Sequence, residues 1–419
     1  MKHIAILAHG SRGDVQPYVA LGDGLRKAGY AVRVAAPEQF RSFILEYGLE
    51  FAPLAGDPRL LMTEAVKKAG SQGNFLRSTQ VILKYAAPIA LQVLRDAESA
   101  CQGTDVIVHS LLMTQVGHQI ARQAGIPDFS ALVFAVFNPT GSFPNPGFPD
   151  LRWGPYNRLT HHLFTQLFSK GGRLSYNWLL RLRHTHLPPL LPWPFGNSKK
   201  RPTPVLYGFS PHVIPRPVEW TEDVHVTGFW FLPSPALWQP PSALLDFLAS
   251  GPPPVFIGFG SVISSRALRL TEIVLKALAQ TGQRGVLLSG WGGLTRVSLP
   301  QDVFMIESAP FDWLFPKMKA AVIHGGIGTT AASLQAGIPT LVVPFTADQF
   351  FWGDRVSRLG VGPEPIPHRK LNAENLAGAI REMLEDEGMR QRASALGECL
   401  RSEDGVANAI RIIKKYLEV

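Results

Sequence analysis

The residues best suited to chemistry lie in one glycine-rich stretch, Ile323-His324-Gly325-Gly326-Ile327-Gly328-Thr329-Thr330. It stands where an apolar run, Ala320–His324, gives way to a helical pattern from about Thr329. Gly325, Gly326 and Gly328 let the backbone approach a ligand closely, and the first N–H groups of a helix point outward at the positive end of its dipole. Thr329 and Thr330 add hydroxyl donors, and His324 can donate from either ring nitrogen. Together these groups suit a diphosphate. The plainer alternative is a tight strand-to-helix turn with a satisfied histidine. No Gly-Lys-Ser/Thr follows, so this is not a Walker loop. The spacing is not Gly-x-Gly-x-x-Gly either, which counts against a nicotinamide or flavin.

Asp348 and Gln349 follow just beyond the next apolar run, Ile338–Pro344. A carboxylate beside an amide suits several sugar hydroxyls, because each hydroxyl both donates and accepts. Asp348 could instead be the N-cap of the following helix.

The elements that must position these groups read as two α/β runs. In the first, Lys2–Ala8 alternates Ile4, Ile6 and Ala8 on one face and predicts a strand. A glycine-containing loop, a helix from about Val15 closed by Gly29, and a strand Ala31–Ala36 complete a βαβ unit. Asp105–Ser110, Leu111–Ala124 and Asp128–Val133 repeat strand, helix and strand. Regularity fails from Asn138 to Arg201, with helical periodicity only near Tyr156–Phe168 and Leu174–Leu182. Recurrent prolines from Ser210 to Pro254 suggest an interdomain linker. The second run has strands at Pro254–Ser261, Gly285–Ser289, Val303–Glu307, Ala320–His324 and Ile338–Pro344, a helix at Leu268–Gln280, and a helical tail capped at Asn372.

The expected organisation is an N-terminal domain over 1–215 with a basic, aromatic insertion at about 138–201, a linker over 216–253, and a C-terminal domain over 254–400. A last helix over 401–419 crosses back to the N-terminal domain. The expected fold class is α/β, with two Rossmann-like doubly wound domains facing across a cleft.

Bulk properties narrow the classes further. At 419 residues the chain suits two domains of roughly 200 residues each. No apolar run approaches the ~18 residues of a membrane span. The N-terminal apolar stretch is too short for a signal peptide and lacks a cleavage pattern, so the expected location is cytoplasmic. Two cysteines, Cys101 and Cys399, exclude a disulfide framework and a cysteine-rich metal site. The net charge of +9 is uneven: residues 151–218 hold ten Lys or Arg and no Asp or Glu. A basic segment can meet nucleic acid, an anionic membrane or an acidic ligand. With no zinc-finger or RNP pattern beside it, nucleic acid is not an expected partner.

His324–Thr330 with Pro344-Phe345-Thr346-Ala347-Asp348-Gln349 resembles the donor-site signature of the UDP-glycosyltransferase superfamily, whose fold is the GT-B pair of Rossmann-like domains. The nearer resemblance is to sterol 3β-glucosyltransferases. It includes Gly10-Ser11-Arg12-Gly13-Asp14-Val15-Gln16-Pro17, Ile257-Gly258-Phe259-Gly260-Ser261, Gly290-Trp291-Gly292-Gly293-Leu294 and Asp312-Trp313-Leu314-Phe315-Pro316. It spans 1–135 and about 205–400, and bacterial antibiotic glycosyltransferases share much of it. Two departures stand out. Ile323 replaces a histidine that often precedes His324, and the plant-type uracil-stacking Trp with its Gln has no counterpart around Ser308–Phe311. Diphosphate recognition is therefore better supported than uridine recognition.

The resemblance implies inverting transfer of a hexose, glucose from UDP-glucose in the first instance, to a hydroxyl of a sterol- or triterpenoid-like acceptor. A nucleoside diphosphate leaves with little need of a proton, so no glycosidase-type carboxylate pair is required. Neutralising the leaving group and deprotonating the acceptor suffice. No metal and no cofactor beyond the nucleotide sugar are called for. Asp14 matches the carboxylate that serves as base in relatives with an Arg-Gly-Asp loop. His9 is its rival, having a reference pKa of ~6.5 against ~3.9 for aspartate; His109 and His118 come behind. As a plain structural residue, Asp14 would cap a helix beginning near Val15. The donor set is Ser261, Trp291, His324, Gly325, Gly326, Gly328, Thr329, Thr330, Asp348 and Gln349. The acceptor set, drawn from the irregular aromatic region, is Phe134, Phe137, Trp153 and Trp178. Such aromatics can line an apolar pocket, meet a bilayer, or simply form a subdomain core. With the basic charge, they predict peripheral contact with the inner face of a membrane. The competing functions are a macrolide- or glycopeptide-type glycosyltransferase using a UDP- or dTDP-sugar, and a GT-B epimerase or sugar-nucleotide sensor.

Overall fold

A computed structural model describes residues 1–57, 89–183, 203–235, 238–260, 267–290, 294–295, 298–346 and 348–418, with the backbone alone over 172–183. The chain divides into two compact units. The first comprises residues 1–211, 215–232 and 404–419, and the second 212–214 and 233–403.

The first unit is built on a seven-stranded, wholly parallel sheet of order β3-β2-β1-β4-β5-β6-β7. Its strands are β1 (His3–Leu7), β2 (Ala31–Pro37), β3 (Glu50–Leu54), β4 (Val106–His109), β5 (Asp128–Leu132), β6 (Val205–Tyr207) and β7 (Val224–Val226). Parallel strands covered on both faces need apolar side chains on both, and Val106–His109 and Asp128–Leu132 are buried at every position. Ile4 and Ile6 pack with helix Arg12–Lys27 in one core cluster, while Ala5 and Leu7 join a second cluster holding Ala97, Ile120 and Ala121. The alternation along β1 therefore feeds both layers of a doubly wound unit. The last helix, Gly405–Leu417, belongs to this unit. It is capped by Asp404 and buries Ala409 and Ile413 in the first cluster. Its Asn408 amide donates to the Thr227 carbonyl at 2.9 Å.

The second unit holds a five-stranded parallel sheet of order β10-β9-β8-β11-β12. These are β8 (Val255–Gly258), β9 (Gly285–Leu288), β10 (Val303–Ile306), β11 (Ala320–Ile323) and β12 (Thr340–Val342). Helix Ala267–Thr281 and helix Ala373–Glu385 contribute Val274, Leu278, Ile380 and Met383 to its core. Asn372 caps the latter helix as the sequence predicts, its side chain accepting from the Asn375 N–H at 2.8 Å.

Three departures from expectation have local causes. Val224–Val226, inside the proline-rich stretch expected as linker, forms the sheet-edge strand β7, a place where neighbouring prolines cost no interior ladder bonds. The two separate helical stretches expected around 156–182 are one helix, Gly154–Arg183. The first helix starts at Arg12 rather than near Val15, because Ser11 is its N-cap.

Candidate functional site

In an open parallel sheet the crevice for ligands lies beyond the carboxyl ends of the strands where the order reverses. In the second unit that point falls between β8 and β11, so the loops after Gly258 and after Ile323 meet there. The first loop brings Gly260, in a left-handed conformation (φ +60°), against the ring of His324. A Cβ on Gly260 would lie 2.5 Å from His324 Cε1, and one on Gly326 would lie 2.4 Å from Nε2. The imidazole is thus enclosed by two residues that must lack side chains. Burial pulls its pKa down to about 4, leaving a neutral ring at pH 7. A neutral imidazole has a single N–H. The expectation that either nitrogen donates therefore narrows to one donor at a time. His324 Nδ1 is buried with no partner among the described residues.

Helix Ile327–Ala336 begins immediately after, with Gly326 as N-cap and no side-chain cap. The N–H groups of Ile327, Gly328 and Thr329 precede the first intrahelical bond, which Thr330 makes to the Gly326 carbonyl at 2.9 Å. Gly328 is exposed and Thr329 partly so. Thr330 differs from its expected role. It is buried, and its hydroxyl donates back to the Gly326 carbonyl at 3.0 Å, so it serves the helix and not a ligand. Asp348 opens helix Asp348–Arg358 and is partly exposed. Gln349 Oε1 accepts from the N–H groups of Phe345 (2.8 Å) and Thr346 (3.0 Å). Its carbonyl shapes that turn, leaving the amide NH2 as the side chain's remaining polar group. Phe345 in turn stacks on His368, ring centroids 4.5 Å apart and planes 8° from parallel, a pairing that the sequence does not signal. Ser261 and Trp291 lie outside the described residues.

The first unit repeats the arrangement, with its order reversing between β1 and β4. His9 and Asp14 both follow β1. Asp14 is not an N-cap but the third residue of helix Arg12–Lys27. Its Oδ2 accepts from the Ser11 N–H at 2.7 Å and the Ser11 hydroxyl at 2.8 Å. Gly10 (φ +137°) admits that carboxylate, since a Cβ there would fall 2.5 Å from Oδ2. Burial pushes the Asp14 pKa up, and the hydrogen bonds from Ser11, followed by the electrostatic influence of His9, offset only part of this. The result is a carboxylate more basic than an ordinary aspartate. Ser11 had no assigned role, although Ser-x-x-Asp has the spacing of a capping box.

His9 Nε2 lies 3.0 Å from the Ala55 carbonyl, which can only accept, so Nε2 is the donor in this bond and Nδ1 lies outside it. His109 and His118, the outside candidates for base, are buried on one carboxylate oxygen. Asp128 Oδ2 accepts from His109 Nε2 (3.0 Å), His118 Nδ1 (2.9 Å) and the Thr203 hydroxyl (3.2 Å). Burial alone would raise the Asp128 pKa, but the two histidines outweigh it and hold the group well below the usual carboxylate range. No local sequence signal joins residues ten and nineteen positions apart. The four acceptor aromatics do not share one environment. Phe137 is buried against Phe164 and Phe168, Phe134 is partly buried, Trp153 is 62% exposed, and the side chain of Trp178 lies outside the described residues.

Two Rossmann-like units in one chain, each with polar groups at its strand-order reversal, define the GT-B class of fold. The glycosyltransferase family 28 N-terminal domain matches residues 4–135, and the erythromycin biosynthesis protein CIII-like C-terminal domain matches residues 290–412. Sterol 3-beta-glucosyltransferase UGT80B1 of Arabidopsis thaliana is 35% identical over 99% of this chain and 68% of its own length. The sterol 3-beta-glucosyltransferase of Emericella nidulans is 37% identical over 99% of this chain and 30% of its own. The chain thus spans about two thirds of the plant relatives and under a third of the fungal ones. Among solved structures, the glycotransferase of kitacinnamycin superposes with a TM-score of 0.72 at 20% identity, covering 99% of this chain and 98% of that one. CalG4, the calicheamicin glycosyltransferase, gives 0.70 at 18%, covering 100% and 98%. At those identities the likeness is one of fold. The chain belongs to the UDP-glycosyltransferase superfamily and is related within it to the sterol 3-beta-glucosyltransferases.

Proposed function

We propose that this glycosyltransferase moves glucose from UDP-glucose to a hydroxyl of a sterol-like acceptor, with inversion at the anomeric carbon. The observation that carries the donor half is the open N-terminus of helix Ile327–Ala336 beside a neutral, glycine-enclosed His324. Backbone N–H groups, the helix dipole and one imidazole N–H stabilise the charge that builds on the departing diphosphate. Asp348 and the Gln349 amide are the proposed sugar contacts. Asp14 takes the acceptor proton as the acceptor oxygen bonds to the anomeric carbon and the bond to the diphosphate breaks. Its raised pKa fits that work better than an ordinary aspartate would. The sterol-like acceptor is supported by relatives whose names carry sterol 3-beta-glucosyltransferase activity and by the aromatic-rich, basic, acid-free segment over 151–218. No helix among the described residues is long and apolar enough to cross a membrane. The proposed approach to a lipid-dissolved acceptor is peripheral contact with an anionic surface, supported by the ten Lys or Arg of the acid-free segment 151–218.

The test is product analysis by mass spectrometry, with UDP-glucose and dTDP-glucose each offered against sterols, triterpenoids and macrolides. A β-linked steryl glucoside formed from UDP-glucose is the expected product. Transfer confined to macrolides, or to the dTDP-sugar, would replace this reading with the natural-product one.

A further inference from the structure

Helix Gly154–Arg183 packs Phe164 and Phe168 against Phe137, yet it also buries polar residues and leaves a row of leucines exposed. Its polar residues Asn157, Thr160 and His161 are buried at 4%, 1% and 0% exposure, whereas Leu159, Leu163 and Leu167 are 52%, 43% and 69% exposed. Fourfold spacing puts those three leucines on one face. The helix cannot roll to hide them, because polar bonds fix its rotation. The Asn157 amide donates to the Gly141 carbonyl (2.9 Å), the Asn145 N–H donates to the Thr160 hydroxyl (2.9 Å), and His161 Nε2 sits 3.2 Å from the Phe143 carbonyl. Turning the leucines inward would break these bonds and bury polar groups unpaired. A contiguous apolar face held outward in this way marks an interaction surface.

We propose that the Leu159–Leu163–Leu167 face seats this unit on an anionic lipid bilayer. Charge selects that occupant. The helix carries no acidic residue, and Arg152, Arg158 and Lys170 are exposed around the stripe, with Arg158 only loosely paired at 3.9 Å from Glu219. A second copy is a poorer fit, since a two-fold interface would bring the same cations face to face. Anionic headgroups complement them, and leucines from a surface helix enter the headgroup–acyl boundary. The inference deepens the proposed peripheral contact and moves it to particular residues: the leucines carry it, and not the buried aromatic Phe137.

The experiment is vesicle flotation of the full chain and of Leu159→Gln/Leu163→Gln/Leu167→Gln, using phosphatidylcholine vesicles with and without phosphatidylserine at two salt concentrations. About fivefold in partitioning is expected per half-exposed leucine, so the triple variant loses about 100-fold. The leucines are already exposed, so its melting temperature stays put, and so does its turnover of a detergent-solubilised acceptor. Wild-type binding should require phosphatidylserine and weaken with salt. Equal flotation of wild type and variant, indifference to phosphatidylserine, or a wild-type dimer that the variant abolishes would each overturn the proposal. Flotation is read without catalysis, so a chain that floats as expected but glucosylates no sterol would sink the proposed acceptor and leave this surface standing.

Discussion

Asp14→Asn separates a base from a structural carboxylate, and the structure supplies both halves of the expected result. If asparagine places its carbonyl oxygen where Oδ2 lies, both Ser11 bonds (2.7 and 2.8 Å) survive. Losing charge assistance costs about 1 kcal/mol per bond, so about 2 kcal/mol in all. Against this stands relief from burying the charge, which is the largest influence on Asp14 and exceeds the bonds, because its net pKa shift is upward. A neutral isostere should therefore leave folding stability unchanged or slightly improved. Turnover should behave otherwise. A positioned general base contributes about 10²–10⁴-fold, or about 3–5.5 kcal/mol of barrier. The measurements are initial rates with UDP-glucose and a sterol, UDP binding by calorimetry, and a thermal melt. In the wild type, kcat/KM should fall on acidification through an apparent pKa above that of a free aspartate, and this limb should vanish in Asp14→Asn. A variant that folds, binds UDP and keeps turnover within tenfold of wild type would refute the reasoning. His9→Gln, run in parallel, would then show whether His9 Nδ1 is the base.

The donor site and the buried histidines give further expectations. His324→Ala removes one N–H donor to a charged leaving group and should weaken UDP binding about 10–100-fold, read by calorimetry. Gly260→Ala should weaken it at least as much with His324 still present, because the new Cβ would fall 2.5 Å from the ring; unchanged UDP affinity would show that the ring's placement is immaterial. Burial holds His161 and His324 at about 4, below their unfolded value of 6.5, so the unfolded chain binds more protons between those limits. Stability should thus fall as pH drops from 6.5 to about 4, by about 3 kcal/mol per histidine, and urea midpoints across that range should flatten in His161→Phe. The depressed Asp128 carboxylate adds a loss that begins at lower pH, as the pH falls below its unfolded value of 3.8. Asp128→Asn should unfold more readily at pH 7 and show a smaller further loss on acidification there.

Much of the architecture was legible without coordinates. Ile4 and Ile6 alternate with Ala5 and Leu7 because both faces of a parallel strand are covered. The run of strands at 2–8, 31–36, 105–110 and 128–133 announces a doubly wound unit through local periodicity alone. The glycine-rich strand-to-helix turn at His324–Thr329 was equally legible, since glycines and a helix start are neighbours in sequence. Strand β7 was not. Three residues among prolines carry no periodicity, and only the sheet edge they meet makes them a strand. Which polar groups remain available was also decided in three dimensions. Thr330 folds its hydroxyl onto Gly326, Gln349 gives its carbonyl to the Phe345–Thr346 turn, and Asp128 ties up His109 and His118. The same holds for the sense of helix Gly154–Arg183. Its periodicity reads correctly as helix, but periodicity cannot say which face is covered. Bonds from Asn157, Thr160 and His161 to segments 136–145 turn the leucines outward. Sequence records what each residue prefers nearby, whereas burial and partner are set by distant segments that the fold brings together.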